Sequence, residues 1–339
     1  MEVAGLEGDF IGVQQPTDAA EVRRLALARA SHLSFEEAES GKLALVVTEI
    51  SKNLLKHAAG GDIFLRTLEI PGVSGVEILA VDKGPGIEDV GRSFQDGFST
   101  AGTSGNGLGA VARLSNSYDV FSRPGQGTVL MAQVWKKNTH APAPRFRVGA
   151  VSRAVVGETF CGDDWIFQER AARGRLLVAD GLGHGEHAAT AARASVRIAS
   201  ERPGDPLPAL LERLHGALRP TRGAAVAVAE IDPAARVVRF AGIGNISGVV
   251  IPPSDPWQRM VSHNGTAGHH LHKVTEFTYP WKSGSLLLMH SDGLTSSWSL
   301  DAYPGLLLRH PSVVAGVLYR DFSRGRDDVT VVVAKEETP

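Results

Sequence analysis

Two sets of residues in this chain could do chemistry. The first begins in TEISKNLLKHA (48–58), where Glu49, Asn53 and His57 recur at every fourth position. At 3.6 residues per turn they share one helix face, so a carboxylate, an amide and an imidazole could line a cleft. The amide oxygen of Asn53 suits a hard cation such as Mg2+. Glu49 could orient water or take a proton from an attacking hydroxyl. Taken alone, the same pattern reads equally well as a solvated polar face. Two later segments shift the balance. DKGPGI (82–87) delivers Asp82 to a strand end among glycines that permit close backbone approach, and its carboxylate can accept the exocyclic amine of adenine. GTSGNGLGA (102–110) carries Gly102, Gly105, Gly107 and Gly109 ahead of a helix, where backbone N–H groups can meet phosphate. No lysine and hydroxyl residue follow these glycines, so the loop is not of the Walker type.

The second set is a series of aspartates placed against aliphatic runs: CGDDW (Asp163, Asp164), LLVADGLGHG (Asp180), LLLMHSDGLTSS (Asp292) and GRDDVTVVVA (Asp327, Asp328). One Asp-Gly pair ordinarily just makes a turn; the ordered series is specific. Carboxylates gathered at strand ends repel one another, and a cation removes that cost. With no clustered cysteine, the donors suit Mg2+ or Mn2+ rather than a zinc thiolate site. Two such ions could hold a hydroxide and clamp a phosphate oxygen. Asp180 would serve both, while Gly181 lets its own carbonyl approach a metal. His184 and His187 flank that turn, with His184 more a loop-shaping residue than a chemical one. The histidines of SHNGTAGHHLHKV (262–274) form no ligand spacing and read as a loop, and Cys161 reads as a small buried apolar residue.

These groups need elements to hold them. The periodicity predicts helices over Glu21–Ala30, entered through Thr17 or Asp18, and over Glu36–Ala58, with further helices after residue 106 and over 186–199 and 207–218. Strands are predicted at 63–70, 75–81, 118–122, 128–135, 148–156, 165–170, 175–179, 224–231, 237–242, 247–251, 285–290 and 329–334. The polar, proline-bearing stretch KKNTHAPAPR (136–145) divides the chain. The reading is a first domain over 12–136, a linker over 137–145 and a second domain over 146–335. The 339 residues suffice for two domains, and a net charge of -2 gives no nucleic-acid footprint. The single cysteine rules out an intramolecular disulfide. There is no signal-peptide profile and no apolar run long enough to span a bilayer, so the expectation is a cytoplasmic protein with no nucleic-acid or membrane partner.

The three segments of the first set resemble the GHKL ATPase and kinase fold, and within it the bacterial anti-sigma-factor and switch serine kinases. The resemblance implies an N-terminal GHKL α/β sandwich that binds ATP and Mg2+. Glu49 would be the base and Asn53 the magnesium ligand; Asp82 would bind adenine with Gly84 and Gly86 in its turn. Gly105, Gly107 and Gly109 would form the phosphate lid, and Thr128 would lie beside adenine. Arg23 or Arg24 would match an arginine that assists transfer. The aspartate series resembles the PP2C metal-dependent phosphatases in their SpoIIE-like branch, and implies a C-terminal PP2C-like αββα sandwich. There Asp163, Asp180, the Gly181 carbonyl, Asp292 and Asp327 would hold two Mn2+ or Mg2+, with Asp164 or Asp328 supporting them. CGDDW lacks the second glycine that many relatives carry before the aspartate. Together the resemblances imply a serine/threonine phosphatase fused to a switch-kinase-like domain. Its partners would be STAS-domain anti-sigma-factor antagonists or stressosome proteins, or an associated phosphatase or cyclase regulator. An adaptor whose first domain binds ATP without transferring phosphate, and a hydrolase of nucleotides or small phosphate esters, are the other readings.

Overall fold

A computed structural model describes residues 2–4, 8–70, 72–94, 107–136, 144–271 and 273–337. In chain order the elements are β1 (Glu2–Ala4), β2 (Gly8–Val13), α1 (Pro16–His32), α2 (Glu37–His57), β3 (Gly61–Ile70), β4 (Val73–Val81), α3 (Val90–Ser93), α4 (Gly107–Leu114), β5 (Ser117–Ser122) and β6 (Thr128–Trp135). There follow β7 (Phe146–Arg153), β8 (Asp163–Arg170), β9 (Arg173–Gly181), α5 (Glu186–Glu201), α6 (Leu207–Leu218), β10 (Ala224–Asp232), β11 (Val237–Ile243) and β12 (Ser247–Ile251). The last are β13 (Gln258–Arg259), β14 (Phe277–Pro280), β15 (Leu286–His290), α7 (Pro311–Phe322) and β16 (Val329–Glu336). The chain divides into two compact units that are not contiguous in sequence. One comprises Glu7–Pro142 with Tyr303–Arg320; the other comprises Met1–Leu6, Ala143–Ala302 and Asp321–Pro339.

The first unit is built on an antiparallel sheet ordered β2-β3-β4-β6-β5. Alternate residues of its central strands point to opposite faces. Ile63, Leu65, Ile78, Ala80, Leu130 and Ala132 join Val22, Ala26, Leu43, Val47 and Ile50 of α1 and α2 in one apolar core. Helix α1 starts earlier than its apolar period suggests. Its N-cap is Gln15, and Asp18 completes a reciprocal capping box from the third helical position.

The opposite sheet face is covered by α7, which the sequence reading did not anticipate. All residues from Pro311 to Arg320 are buried. A helix apolar all round gives no amphipathic period, and its valines read as strand. Ser312, Gly316 and Tyr319, spaced by four and three, form its stripe towards the sheet. Ser312 donates to Glu77 Oε1 at 2.9 Å, and the Tyr319 hydroxyl donates to Asp62 Oδ2 at 2.7 Å. A Cβ on Gly316 would lie 2.7 Å from Val129 Cγ1. Beneath this stripe Arg66 pairs with Glu77 at 2.8 Å, both side chains under 9% exposed, and Gln133 donates to the second Glu77 oxygen. Burial works against the Glu77 carboxylate, but Arg66, His310, Gln133 and Ser312 outweigh it and hold the group below its ordinary range.

The second unit stacks two antiparallel sheets, β1-β8-β9-β10-β11-β14 and β13-β12-β15-β16-β7. Trp165, Phe167, Leu176, Val178, Val226's neighbours Ala225 and Ala227, Phe240, Leu287, Met289 and Val332 fill the space between the sheets. The other face of the first sheet, through Ile166, Leu177, Ala179 and Val226, packs on Ala192 and Val196 of α5 and Leu210, Leu211 and Leu214 of α6. Strands buried on both faces read as continuous apolar runs, as LLVA and VVVA do. Among the described residues no helix is long and apolar enough to cross a membrane.

Candidate functional sites

In the first unit, Glu49 and Asn53 stand on α2 one turn apart and face the start of α4. A Cβ on Gly107 would lie 3.3 Å from both Asn53 Oδ1 and Glu49 Oε2. The glycine therefore leaves open the space in front of these two side chains. Asn53 Nδ2 is buried and has no hydrogen-bond partner among the described residues. Lys52 occupies Glu49 Oε1 at 2.8 Å. His57 is the last residue of the helix and exposed. Arg24 is bound to Glu21 in an exposed i,i+3 pair.

Asp82 follows β4 directly. Its Oδ1 accepts the backbone N–H of Gly84 at 2.8 Å and of Thr128 at 3.1 Å, and its own N–H donates to Thr128 O. No hydrogen bond to Oδ2 is seen among the described residues, so that oxygen is available as an acceptor. Burial pushes the Asp82 carboxyl up, against the pull of the Gly84 and Thr128 N–H groups and of Arg320. The Thr128 hydroxyl is shared with Ser122 at 2.8 Å. Two glycines make this turn possible. Gly86 and Gly127 have φ +72 and +74, and a Cβ on either would fall about 2 Å from a carbonyl oxygen, Arg123 O at 2.0 Å and Asp82 O at 2.1 Å. Gly109 is buried in α4, while Gly105 lies outside the described residues.

In the second unit the aspartates separated by up to 165 positions come together. Asp163 and Asp180 are directly opposed across β8 and β9. Asp180 is pushed well above the ordinary carboxylate range, first by burial and then by Asp163, Asp292, Asp327 and Asp328. Asp163 is raised in the same sense by burial, Asp328 and Asp292, against hydrogen bonds from Ser291 and Thr330. Its Oδ2 accepts Ser291 Oγ at 2.6 Å, while its Oδ1 is buried and has no hydrogen-bond partner among the described residues. Asn245 donates to Asp292 Oδ2 at 2.7 Å. Burial and Asp327 push Asp292 up.

Hydrogen bonding distinguishes the members of each Asp-Asp pair. Both Asp328 oxygens are taken by backbone N–H groups, of Val155 at 2.8 Å and Gly162 at 2.9 Å, so this side chain ties two loops together. Asp327 accepts only the Asp328 N–H among the hydrogen bonds seen. Asp164, next along the strand from Asp163, points to the other side of the sheet. Burial raises it to about 7, against the Trp165 N–H and Arg193. Gly181 serves packing: its Cβ would sit 2.1 Å from Ala188 O of α5. His184 is exposed and bonded to Glu158 at 2.6 Å. Cys161 is half-buried rather than buried, and burial with Asp163 and Asp328 holds its thiol protonated. Of the loop histidines, His269 bonds Arg222 O at 3.0 Å and His263 packs against the Phe277 ring, while His272 lies outside the described residues.

Among the described residues no three His, Cys, Asp or Glu side chains are already closed into a metal-ligating set. The donors nevertheless fit a hard cation. They are carboxylates that raise one another's affinity for protons, and one oxygen, Asp163 Oδ1, is buried with no donor among the described residues. Sequence reasoning missed Asn245 and Ser291, which hold Asp292 and Asp163. Ser291 adjoins Asp292 in sequence, but nothing in GIGNIS marks Asn245.

Two family descriptions match the chain in the order of these sites. The histidine kinase-like ATPase domain matches residues 13–133, and the stage II sporulation protein E (SpoIIE) family matches residues 170–336. Over 118 residues the chain is 33% identical to the serine/threonine-protein kinase RsbT of Bacillus subtilis (strain 168), covering 35% of this chain and 89% of RsbT. Over 138 residues it is 25% identical to the phosphoserine phosphatase RsbX of the same organism, covering 41% of this chain and 69% of RsbX. Among solved structures, one described as the bacterial stressosome, a modular system adapted to control secondary messenger signalling, matches with 28% identity and a TM-score of 0.53, over 57% of this chain and all of the other. RsbX in complex with magnesium shares the fold at 20% identity and a TM-score of 0.51, over 58% of this chain and 98% of the other. The chain thus belongs to the histidine kinase-like ATPase family through its N-terminal part, joined to a PP2C-type phosphatase domain of the SpoIIE family.

Proposed function

We propose that the chain is a metal-dependent protein serine/threonine phosphatase governed by an ATP-binding, switch-kinase-like domain, acting on phosphorylated STAS-type regulatory proteins of a partner-switching pathway. The observation that carries this is the convergence of Asp163, Asp292, Asp327 and Asp328 on Asp180, with Asp163 Oδ1 buried and without a hydrogen-bond partner among the described residues. Asp163, Asp180, the Gly181 carbonyl, Asp292 and Asp327 would hold two Mn2+ or Mg2+. Ions bound there would supply a hydroxide at neutral pH and would neutralise charge on the transferring phosphoryl group. Ser291 and Asn245 orient Asp163 and Asp292, and Asp328 fixes the loops of Val155 and Gly162 around them. In the first unit Asp82 Oδ2 would accept the adenine amine, with Gly84, Gly86 and Thr128 shaping its pocket. Asn53 would hold Mg2+, and Gly105, Gly107 and Gly109 would face the phosphates. Glu49 would accept the proton of a substrate hydroxyl in phosphoryl transfer.

A second reading, an ATP-gated adaptor that transfers no phosphate, is favoured by the Lys52–Glu49 pair, which occupies one oxygen of the proposed base. One set of measurements separates the readings. Purified chain with Mn2+ should release phosphate from a phosphoserine STAS-domain protein, and Asp180→Asn should abolish that release. With Mg-ATP, the wild type should phosphorylate a STAS-domain serine, whereas Glu49→Ala should bind ATP normally and transfer none. ATP binding with no transfer by the wild type selects the adaptor. Unchanged hydrolysis by Asp180→Asn overturns the metal-site assignment.

A further inference from the structure

Beside the aspartate cluster lies an open depression of about 460 Å³ lined by Thr295, Ser296, Ser297, Arg324 and Arg326. Two chain segments are laced together to form it. Thr295 N–H donates to Phe322 O at 3.0 Å, Arg324 N–H donates to Gly293 O at 2.8 Å, and Leu294 and Ser323 form an antiparallel bridge. Backbone bonding thus sets three consecutive hydroxyl residues against two arginines. Both arginines and both serines are exposed. Among the described residues neither guanidinium has an ion-pair partner, whereas Arg145, Arg173, Arg175, Arg213 and Arg239 of the same unit each pair with a carboxylate. The position is as informative as the composition. Thr295 stands three residues after Asp292, and Arg326 immediately precedes Asp327. Arg324 is within electrostatic reach of Asp292, where it opposes the effects of burial and Asp327.

On the phosphatase reading the metal centre would hold the scissile phosphate. Two exposed guanidinium groups in no direct ion pair among the described residues, with three hydroxyl donors, form a fork beside it for a second anion. We infer that this depression is a substrate subsite that binds a carboxylate or second phosphate carried by the protein substrate close to its phosphorylated residue. An extended peptide advances about 3.4 Å per residue, so an anion within a few residues of the phosphoserine is the kind a neighbouring subsite would reach. The inference rests on the phosphatase reading of the neighbouring aspartates and deepens it into a preference for acidic flanking sequence.

The test uses the full chain with Mn2+ and four phosphoserine peptides. They differ only in carrying Ala, Asp, Lys or a second phosphoserine at the flanking positions; p-nitrophenyl phosphate is the control without flanks. For the wild type, kcat/KM should be about tenfold higher for acidic than for neutral flanks, chiefly through KM, and the advantage should shrink with added salt. Whether Asp or the second phosphoserine gains more identifies the anion the site takes. Arg326→Gln should bring acidic and neutral peptides close to parity, and Arg326→Glu should favour the lysine peptide. Both variants should keep wild-type turnover of p-nitrophenyl phosphate, which shows that the fold and metal centre are intact. Equal use of all four peptides by a wild type active on p-nitrophenyl phosphate would overturn the subsite and leave the phosphatase reading standing. Hydrolysis of no substrate by the wild type would overturn both.

Discussion

Replacing Asp180 by asparagine should stabilise the metal-free protein while abolishing its phosphatase activity. Folding buries Asp180 beside Asp163 and raises its pKa from 3.8 to about 9. Between those values the folded chain keeps a proton that the unfolded chain has lost. Stability therefore falls as pH rises through this window, by about 1.4 kcal/mol per pH unit. At pH 7 the accumulated cost is about 4 kcal/mol. That cost belongs to the Asp163–Asp180 pair, so about half of it, roughly 2 kcal/mol, falls to Asp180, and an amide of equal size has no proton to lose in the unfolded chain. In a unit of this size that corresponds to a rise of about 4–8 °C in melting temperature. The assay is a thermal melt of both proteins stripped of divalent ions, at pH 7 and pH 5, then with Mn2+. At pH 5 the advantage should shrink to under about 1 kcal/mol, because little of the window has been crossed. Added Mn2+ should raise the wild-type transition and leave Asp180→Asn nearly unmoved. A metal-free Asp180→Asn protein that melts below the metal-free wild type would refute the electrostatic argument. Equal stabilisation of both proteins by Mn2+ would refute the ligand role.

Two further perturbations probe the first unit. Arg66→Leu strands the buried Glu77 carboxylate under α7 and should destabilise the unit by about 3–5 kcal/mol, whereas Arg66→Leu with Glu77→Leu should cost much less than the sum of the singles; chemical denaturation of the three variants measures the difference. Gly127→Ala forces a Cβ to 2.1 Å from Asp82 O at φ +74 and should cost about 2 kcal/mol or more together with most ATP binding, while Gly72→Ala, at φ +83 with open space around it, should cost about 1 kcal/mol and leave ATP binding intact. Calorimetric titration with ATP reads both.

The sequence was sufficient wherever a pattern repeats over a few residues. The apolar period of 43–55 makes α2 and aligns Glu49 with Asn53, because helical spacing is a local property. The run LLVADG makes β9 and carries Asp180 to its end, and the same logic puts Asp82 after β4 and Asp292 after β15. Two kinds of fact needed the tertiary structure. One is burial on every side: α7 has no polar face to give it a period, and its seat against the sheet of the first unit depends on contacts across more than two hundred residues. The other is the identity of hydrogen-bond partners. Asp327 and Asp328 are equivalent in a string of letters, yet one has both oxygens bound by backbone N–H groups and the other does not. Asn245, forty-seven residues from Asp292, and Arg324 and Arg326, set against Thr295–Ser297, acquire their surroundings only when distant strand ends meet. Local periodicity is written in the chain; partnership across long sequence separations exists only once the sheets have closed.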